Sequence, residues 1–215
     1  RSVSLTHYHR PSERFAFSTG GYYEGSDGFF TNSFLNKKVD DRQAGGGRIR
    51  AIWFVSDQWK LDFNVNYDYT DEGGYPYYNE ENQIAYNRES SYRRSLLNTG
   101  LNIEHQAENF IFNAVTGFQH LNDRMFMDQD FSSADTYTIE QKQRINSISE
   151  EISFKSKAGK RWQWTTGAFG FYQSMNVNSP VTFRKDGMAM LNQMLDSVIP
   201  SKIEVPMGPV MAMNI

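Results

Sequence analysis

The sequence contains no cysteine in its 215 residues. Disulfide bonds, thiol catalysis and thiolate metal sites are therefore excluded. It also lacks any run of about 18 apolar residues, so it has no transmembrane helix. The 22 Lys and Arg and the 25 Asp and Glu nearly balance, and the net charge of -3 leaves no basic stripe. We therefore expect no nucleic acid partner.

Hydrophobic residues make up only 39% of the chain, whereas aromatic residues reach 15%. Aromatic side chains therefore provide most of the apolar surface. The mean hydropathy of -0.65 is compatible with a membrane protein, because transmembrane strands alternate apolar and polar side chains. Arg1 begins the chain without a starting Met or a signal peptide, so we expect a piece of a longer polypeptide.

The strongest pattern lies between residues 61 and 70, where apolar and polar side chains alternate strictly. One face would carry Leu61, Phe63, Val65, Tyr67 and Tyr69, and the other Asp62, Asn64, Asn66, Asp68 and Thr70. A period of two is typical of a β-strand whose faces meet different environments. Ten residues at about 3.3 Å each give a length of about 33 Å, which suits a tilted strand that crosses a bilayer.

Eight segments carry strand patterns: 1–9, 15–25, 46–56, 60–70, 92–106, 110–122, 137–156 and 162–177. The connections between them alternate between short ones (10–14, 57–59, 107–109 and 157–161) and long ones (26–45, 71–91, 123–136 and 178 onward). All turns then lie at one end of the sheet and all long loops at the other, as in outer-membrane barrels. We predict an all-β fold, an antiparallel up-and-down meander that forms part of a large transmembrane β-barrel.

All four tryptophans, Trp53, Trp59, Trp162 and Trp164, lie within a few residues of a short turn. Such positions suit an aromatic girdle whose rings lie at the level of the lipid headgroups. The alternative is that these rings cap a soluble core at one end of a sheet.

The segment 178–215 differs in kind from the preceding strands. Met188, Leu191, Met194, Leu195 and Val198 follow helical spacing before Pro200. We predict a barrel segment of about eight strands over 1–177, and a long extracellular loop with a short amphipathic helix over 178–215. The methionines that follow, Met207, Met211 and Met213, suit an adaptable surface that binds a partner or fills gaps.

Several segments resemble, in the same order, the barrel strands of TonB-dependent outer-membrane receptors. The stretch from Tyr23 to Asn32 looks like the end of an early strand in that family, which has a Gly-Phe pair, here Gly28-Phe29, followed by an Asn, here Asn32. The stretch from Gly46 to Leu61 resembles the hairpin that comes next in the family. Segments 128–131, 151–156 and 164–169 are similar to later strands.

The resemblance implies a large plugged barrel in the bacterial outer membrane. The implied function is energised uptake of a nutrient, commonly an iron-siderophore, cobalamin or a glycan. The implied partners are outer-membrane lipid, a small nutrient ligand and the TonB complex, the last through an N-terminal part that precedes Arg1. The chain then looks like the first third to half of the barrel wall, and it would not transport by itself.

Two pairs of residues have metal-ligand chemistry, but neither predicts a site. His7 and His9 share one face of a strand without a third ligand, and Asp128 and Asp130 lack the Gly-rich turn and third acid of a calcium loop. No Ser/His/Asp set, phosphate loop or zinc signature is present. We predict no cofactor, no metal and no enzymatic activity.

The loop 71–91 is the candidate ligand-binding rim, because it is rich in tyrosine and asparagine. Rings offer stacking area and amides offer hydrogen bonds to a ligand. The predicted ligand-binding residues are Tyr75, Tyr77, Tyr78, Asn79 and Tyr86. The alternative is that these tyrosines pack a large loop against its neighbours.

Two other interpretations use the same strands. A soluble β-rich extracellular binding module, such as an adhesin or a glycan-binding domain, would present the Tyr-rich loops as its binding edge. A small eight-stranded barrel would close on itself, although no strand pattern returns after residue 178.

Overall fold

The computed structural model describes residues 1–159, 161–198 and 211–213. Its strands are β1 (Ser2–Ser12), β2 (Phe15–Ser26), β3 (Thr31–Asn32), β4 (Lys37–Lys38), β5 (Arg42–Phe54), β6 (Trp59–Glu72), β7 (Ser91–Gln106), β8 (Phe110–Asp128), β9 (Tyr137–Ser156), β10 (Thr165–Asn178), β11 (Val181–Phe183) and β12 (Met211–Met213). One helix, α1 (Lys185–Val198), follows β11.

The long strands form one antiparallel meander in the order β1-β2-β5-β6-β7-β8-β9. Strand β9 is long enough to pair with two further strands on its free side, β10 along residues 142–155 and β11 along residues 137–139. The predicted fold class, an antiparallel meander with one short helix near the C-terminal end, is confirmed.

Several element boundaries differ from the sequence-based expectation. Strand β1 ends at Ser12 and not at residue 9, and β5 covers Arg42–Phe54 and not 46–56. Strand β8 continues to Asp128, where the sequence suggested a loop from residue 123, because residues 123–128 pair with 138–143 of β9. The last long strand begins at Thr165 and not at residue 162. The helix begins at Lys185, while Pro200, Met207 and most of the Met-rich stretch lie outside the described residues.

The register of the pairs assigns each side chain to one of two faces. The face of β6 that carries Phe63 and Val65, with the residues paired to them, is called the apolar face; the face that carries Asn64 and Asn66 is called the polar face. On the apolar face Phe63 pairs with Ala51 and Leu101, and Val65 with Ile49 and Thr99. On the polar face Asn66 pairs with Arg48 and Asn98.

Large apolar side chains on the apolar face are open to the surroundings. Ile49 is 52% exposed, Phe63 42% and Tyr67 46%. A contiguous apolar surface of this kind requires lipid or another protein surface to cover it.

Aromatic rings collect at both ends of the apolar face. At the short-turn end the rings of Trp59 and His105 stack at 4.1 Å, and Phe154 lies 5.8 Å from Phe110. At the loop end Tyr67 and Tyr69 follow on β6. Trp59 and Tyr69 are ten residues apart on β6. In a barrel whose strands tilt by about 45° from its axis, this separation corresponds to about 23 Å along the axis.

Between the short-turn end and the charged residues of the loop end, two polar pairs interrupt the apolar face, and each is satisfied internally. Thr116 donates a hydrogen bond to Glu150 at 2.5 Å, and His120 Nδ1 lies 2.6 Å from Asn146 Oδ1. Both pairs join β8 to β9.

Most of the buried residues lie at the loop end and not beneath the sheet; Ala114 of β8 and Ser156 at the end of β9 are the exceptions. The hydrophobic core of the described residues consists of Val39, Ile84 and Tyr86, against which Leu35 packs. A sheet with one layer has no partner to bury either face, so the loops provide the buried core.

Among the described residues the sheet is open. Strand β1 pairs only with β2, and β10 pairs only with β9. These residues therefore do not form a small eight-stranded barrel closed on itself. Within the same residues, the one helix is neither long nor apolar enough to cross a membrane.

Candidate functional site

The long connections fold together into one structure, here called the loop layer: residues 27–41, 73–90 and 129–136 with the first turn of α1. The first two loops are joined by the backbone amide of Ser33, which donates to the Ile84 carbonyl at 2.8 Å, and by that of Gly73, which donates to the Asp41 carbonyl at 2.8 Å. A Cβ at position 73 would lie 2.0 Å from the Val39 carbonyl oxygen, so only glycine permits this approach.

Asn32 and Tyr86 form the centre of the loop layer. Asn32 is 0% exposed and donates its side-chain amide to the Tyr86 carbonyl at 2.8 Å. Its side-chain oxygen accepts hydrogen bonds from the amides of Phe34 and Leu35 at 2.9 and 3.1 Å. One buried amide therefore fixes the turn of the first loop and attaches it to the second.

Arg88 attaches the second loop to the third. Its guanidinium donates two hydrogen bonds to the Asp135 carboxylate, at 2.7 and 3.1 Å. Its backbone amide donates to the Asp128 carboxylate at 3.2 Å. Asp128 is 1% exposed, so the main chain at Arg88 supplies a polar partner for a buried acid.

These acids differ in how readily they ionise. Burial raises the pKa of the Asp128 carboxyl to about 6, and the charge of Asp130 adds to this rise. The hydrogen bond from Arg88 lowers the pKa of the Asp135 carboxyl. Burial also raises the pKa of the Tyr86 phenol to about 12. At the base of the loop layer, Asp128 therefore gains a proton near pH 6, whereas Asp135 within the layer keeps its charge there.

The third loop is joined to the helix by reciprocal hydrogen bonds. The Asp186 side chain accepts from the Asp135 amide at 2.8 Å, and the Asp186 amide donates to the Asp135 carbonyl at 2.9 Å. Gly187 lies directly against Thr136, because a Cβ there would be 2.1 Å from the Thr136 carbonyl oxygen. The helix start is therefore fixed to the rest of the loop layer.

The five predicted ligand-binding residues fall into two groups. Tyr75, Tyr77 and Tyr78 are 68%, 47% and 57% exposed, and the ring of Tyr77 lies 4.6 Å from that of Phe131. The other two, Asn79 and Tyr86, make contacts within the loop layer. Ligand binding by these residues stays a prediction.

Asn79 and Tyr86 support the loop from within. The Asn79 side-chain oxygen accepts hydrogen bonds from the amides of Glu81 and Gln83 at 3.1 and 2.9 Å, and so shapes a turn. Tyr86 is 1% exposed. A ligand therefore does not reach the Tyr86 ring in this arrangement, and the exposed part of the candidate rim consists of the three tyrosines.

A second concave region lies on the polar face of β1, β2, β5 and β6. It is a cavity of about 380 Å³. Tyr22 and Asp68 line it and are joined by a hydrogen bond of 2.7 Å from the tyrosine hydroxyl. Arg48 also lines it and donates to Thr6 at 3.1 Å. The region offers hydroxyl, amide and charged groups to whatever lies against this face.

Of the two pairs with metal-ligand chemistry, the histidines lie on β1, and the aspartates lie at the end of β8 and the start of the third loop. The rings of His7 and His9 stack at 6.0 Å, on the same face as the ring of Phe17. The Asp130 carboxylate is occupied by hydrogen bonds from Ser132 and Thr136. Among the residues that the structure describes, no group of three or more His, Asp or Glu comes together around a possible ion position.

No sequence pattern predicts that Arg88, Asp128 and Asp135 hold the loop layer together. Arg88 and Asp135 are 47 residues apart in the chain, and no local pattern links them. The signal available was only that charged residues occur in two long loops.

No family model matches the chain. Its fold is similar to that in the crystal structure of the ferric yersiniabactin uptake receptor FyuA from Yersinia pestis, with a TM-score of 0.69 and 14% sequence identity. The match covers 85% of this chain and 32% of that protein. The outer membrane transporter YddB from Escherichia coli also matches over 85% of this chain and 31% of its own, but with a TM-score of 0.41 and 9% identity.

The chain therefore spans about a third of the length of both proteins. At this level of identity the similarity to FyuA concerns the fold alone. The chain has the fold of a fragment of an outer-membrane β-barrel.

Proposed function

We propose that this chain is part of the barrel wall of a TonB-dependent receptor in the bacterial outer membrane. The receptor would take up a small nutrient ligand, and an iron-siderophore complex is the first class to test. Its partners would be outer-membrane lipid, the nutrient ligand and the TonB complex. Strands and a plug outside residues 1–215 would complete the barrel, because β1 and β10 are open edges and unpaired edges invite further pairing.

The observation that carries the proposal is the opposite chemistry of the two faces over most of the sheet. The edge strand β10 departs from it, because its exposed Phe169, Phe171, Met175 and Val177 are in register with residues of the polar face. The apolar face presents exposed Ile49, Phe63 and Tyr67, whereas the polar face is joined by pairs such as Arg50 and Asp62, whose hydrogen bonds are 2.9 and 2.6 Å long. Lipid outside and water or a plug inside account for both faces at once. A soluble sheet would need a second layer over the apolar face.

The height of the apolar band supports the same proposal. The distance of about 23 Å between Trp59 and Tyr69 is close to the apolar band of about 25 Å in barrels of this kind. The aromatic rings at its two ends would lie at the two membrane interfaces.

We also propose which side is outside. Short turns in these barrels face the periplasm and long loops the exterior, so the loop layer would face the medium. Residues 1–177 would then be the barrel segment and 178–215 an extracellular loop with its helix. The exposed Tyr75, Tyr77 and Tyr78 would contact the ligand as it arrives.

The experiment is to refold the 215-residue chain in plain buffer and in detergent micelles. Circular dichroism would report strand content, and light scattering would report size. The proposal expects a monodisperse β-structured species only with detergent, since the apolar face is otherwise uncovered. A stable monomer without detergent would contradict it and favour the soluble binding module.

A further inference from the structure

Three cations cluster on the apolar face of the sheet, at its loop end. Arg124 of β8 pairs in register with Lys142 of β9, and Arg144 lies two residues from Lys142 on the same face. The side chain of Arg124 is 54% exposed and that of Lys142 is 51% exposed. Cations that lie on the apolar face with few acidic partners require a reason.

The cluster has more positive than negative charge. Glu140 accepts a hydrogen bond from Arg124 and lies 3.0 Å from the Lys142 ammonium, so one carboxylate serves two cations. Arg144 has no ion pair with any residue within the described part of the chain. The neighbouring Arg93 is paired with Asp71 at 3.0 Å and adds nothing to the surplus.

The height of the cluster coincides with the upper edge of the apolar band. Phe154, among the aromatic rings at the short-turn end, and Arg144 are ten residues apart on β9 and share a face. For a tilt of about 45° this corresponds to a height of about 23 Å. Arg144 and Lys142 therefore lie where the hydrocarbon would give way to headgroups.

The space between these side chains is open and lined by hydrogen-bond donors. A cavity of about 430 Å³ is lined by Arg124, Lys142 and Arg144, with the amides of Asn122, Gln143, Asn176 and Asn178 beside them. Asp123 also lines it, and its carboxylate accepts a hydrogen bond from the Tyr92 hydroxyl at 3.2 Å. Guanidinium, ammonium and amide groups together match a phosphate, which takes several charge-assisted hydrogen bonds.

The geometry points to a binding site for the phosphate groups of an anionic lipid in the outer leaflet, held by Lys142 and Arg144 with Arg124. This inference rests on the proposed function, because only a membrane around the apolar face brings headgroups to this height. Each cation near an anionic membrane surface contributes measurably to binding. The surplus charge of Arg144 would then be neutralised by the lipid.

The test uses the chain refolded in zwitterionic detergent micelles, with diphosphoryl lipid A as the probe and native mass spectrometry as the measurement of its dissociation constant. The double variant Lys142→Gln, Arg144→Gln is expected to bind about thirtyfold more weakly. The matched control, Arg94→Gln with Lys155→Gln, removes two cations from the polar face and should leave binding unchanged.

Strand content in micelles tests the proposed function, and the dissociation constant of the lipid tests the binding site separately. Loss of strand content in micelles would overturn the proposed function, and this inference with it. Strand content retained, with equal binding by the wild type and the Lys142/Arg144 variant, would overturn the lipid site alone. Displacement of the lipid by an equal concentration of inorganic phosphate would also overturn it, because the site would then be one for free anions.

Discussion

Tyr22 reaches across a whole strand to donate a hydrogen bond to Asp68 at 2.7 Å. The strand between them is β5, which places Gly46 directly under the tyrosine ring. A Cβ at Gly46 would lie 2.7 Å from a ring carbon of Tyr22 and 2.6 Å from the Tyr67 carbonyl oxygen. The absence of a side chain at one position therefore lets two side chains on different strands meet on the polar face.

Replacing Gly46 by alanine should displace Tyr22 and break its hydrogen bond. We expect a loss of about 1–3 kcal/mol in the free energy of unfolding, as for other overpacked sites. Denaturant titration in detergent micelles would measure it. The adjacent Gly47→Ala is the matched control, since a Cβ there would be 3.6 Å from the nearest atom. Equal losses for both variants would show that Gly46 has no special role.

Removing the ring at the centre of the loop layer should loosen the loops without unfolding the sheet. Tyr86→Ala deletes a ring that is 1% exposed, and we expect a local loss of about 3–5 kcal/mol. Amide exchange at Ser33 would report it, because Ser33 donates to Ile84. Tyr86→Phe keeps the ring and should change little. Faster exchange throughout β6 would instead show that loops and sheet unfold together.

The free energy of opening the loop layer should be larger at pH 5 than at pH 7. The folded pKa of Asp128 is about 6, whereas the ordinary value is about 3.9. The folded state binds the proton more tightly, so stability falls as the pH rises between these values and is constant above them. We expect a change of up to about 3 kcal/mol across this window.

The exchange protection of the Arg88 amide, corrected for intrinsic rates, would measure this change. Asp135 keeps its charge throughout the window, since its pKa is lowered. Asp128→Asn retains an acceptor for the Arg88 amide and removes the titration, so its protection should not vary with pH. An identical pH dependence in the variant would assign the effect to another group.

Replacing the exposed tyrosines should weaken ligand binding by the assembled receptor. Tyr75→Ala, Tyr77→Ala and Tyr78→Ala are each expected to cost about 1 kcal/mol or more if the ring contacts the ligand. A ferric siderophore would be the probe, with fluorescence quenching as the measurement. Tyr8→Ala is the control, because Tyr8 is 72% exposed on β1, away from the loop layer. Unchanged affinity in all three variants would exclude this rim.

The sheet could be predicted from the sequence because alternation is a local signal. In β6 every second residue from Leu61 to Tyr69 is apolar, and the short turns fix which strands are neighbours. The sequence did not predict that β8 continues over residues 123–128. These residues extend beyond the apolar band, where neither face needs to be uniformly apolar, so the alternating pattern is absent. There the pairing with β9 determines the structure.

The loop layer could not be predicted because its contacts are long-range. Asn32 and Tyr86 are 54 residues apart, and Arg88 and Asp135 are 47 apart. Tyrosine content singled out the loop 71–91 as a candidate ligand-binding rim, but it could not separate the exposed Tyr75 from the buried Tyr86. That distinction depends on Val39 and Ile84, which lie on two different loops.

The most direct test of the central claim compares two adjacent positions on β6. Val65 and Asn66 lie on opposite faces, about halfway up the apolar band. In a denaturant titration of the chain folded into phospholipid bilayers, Val65→Lys should cost about 2–4 kcal/mol, while Asn66→Lys should cost almost nothing. Equal costs at the two positions would contradict the claim that the apolar face meets lipid.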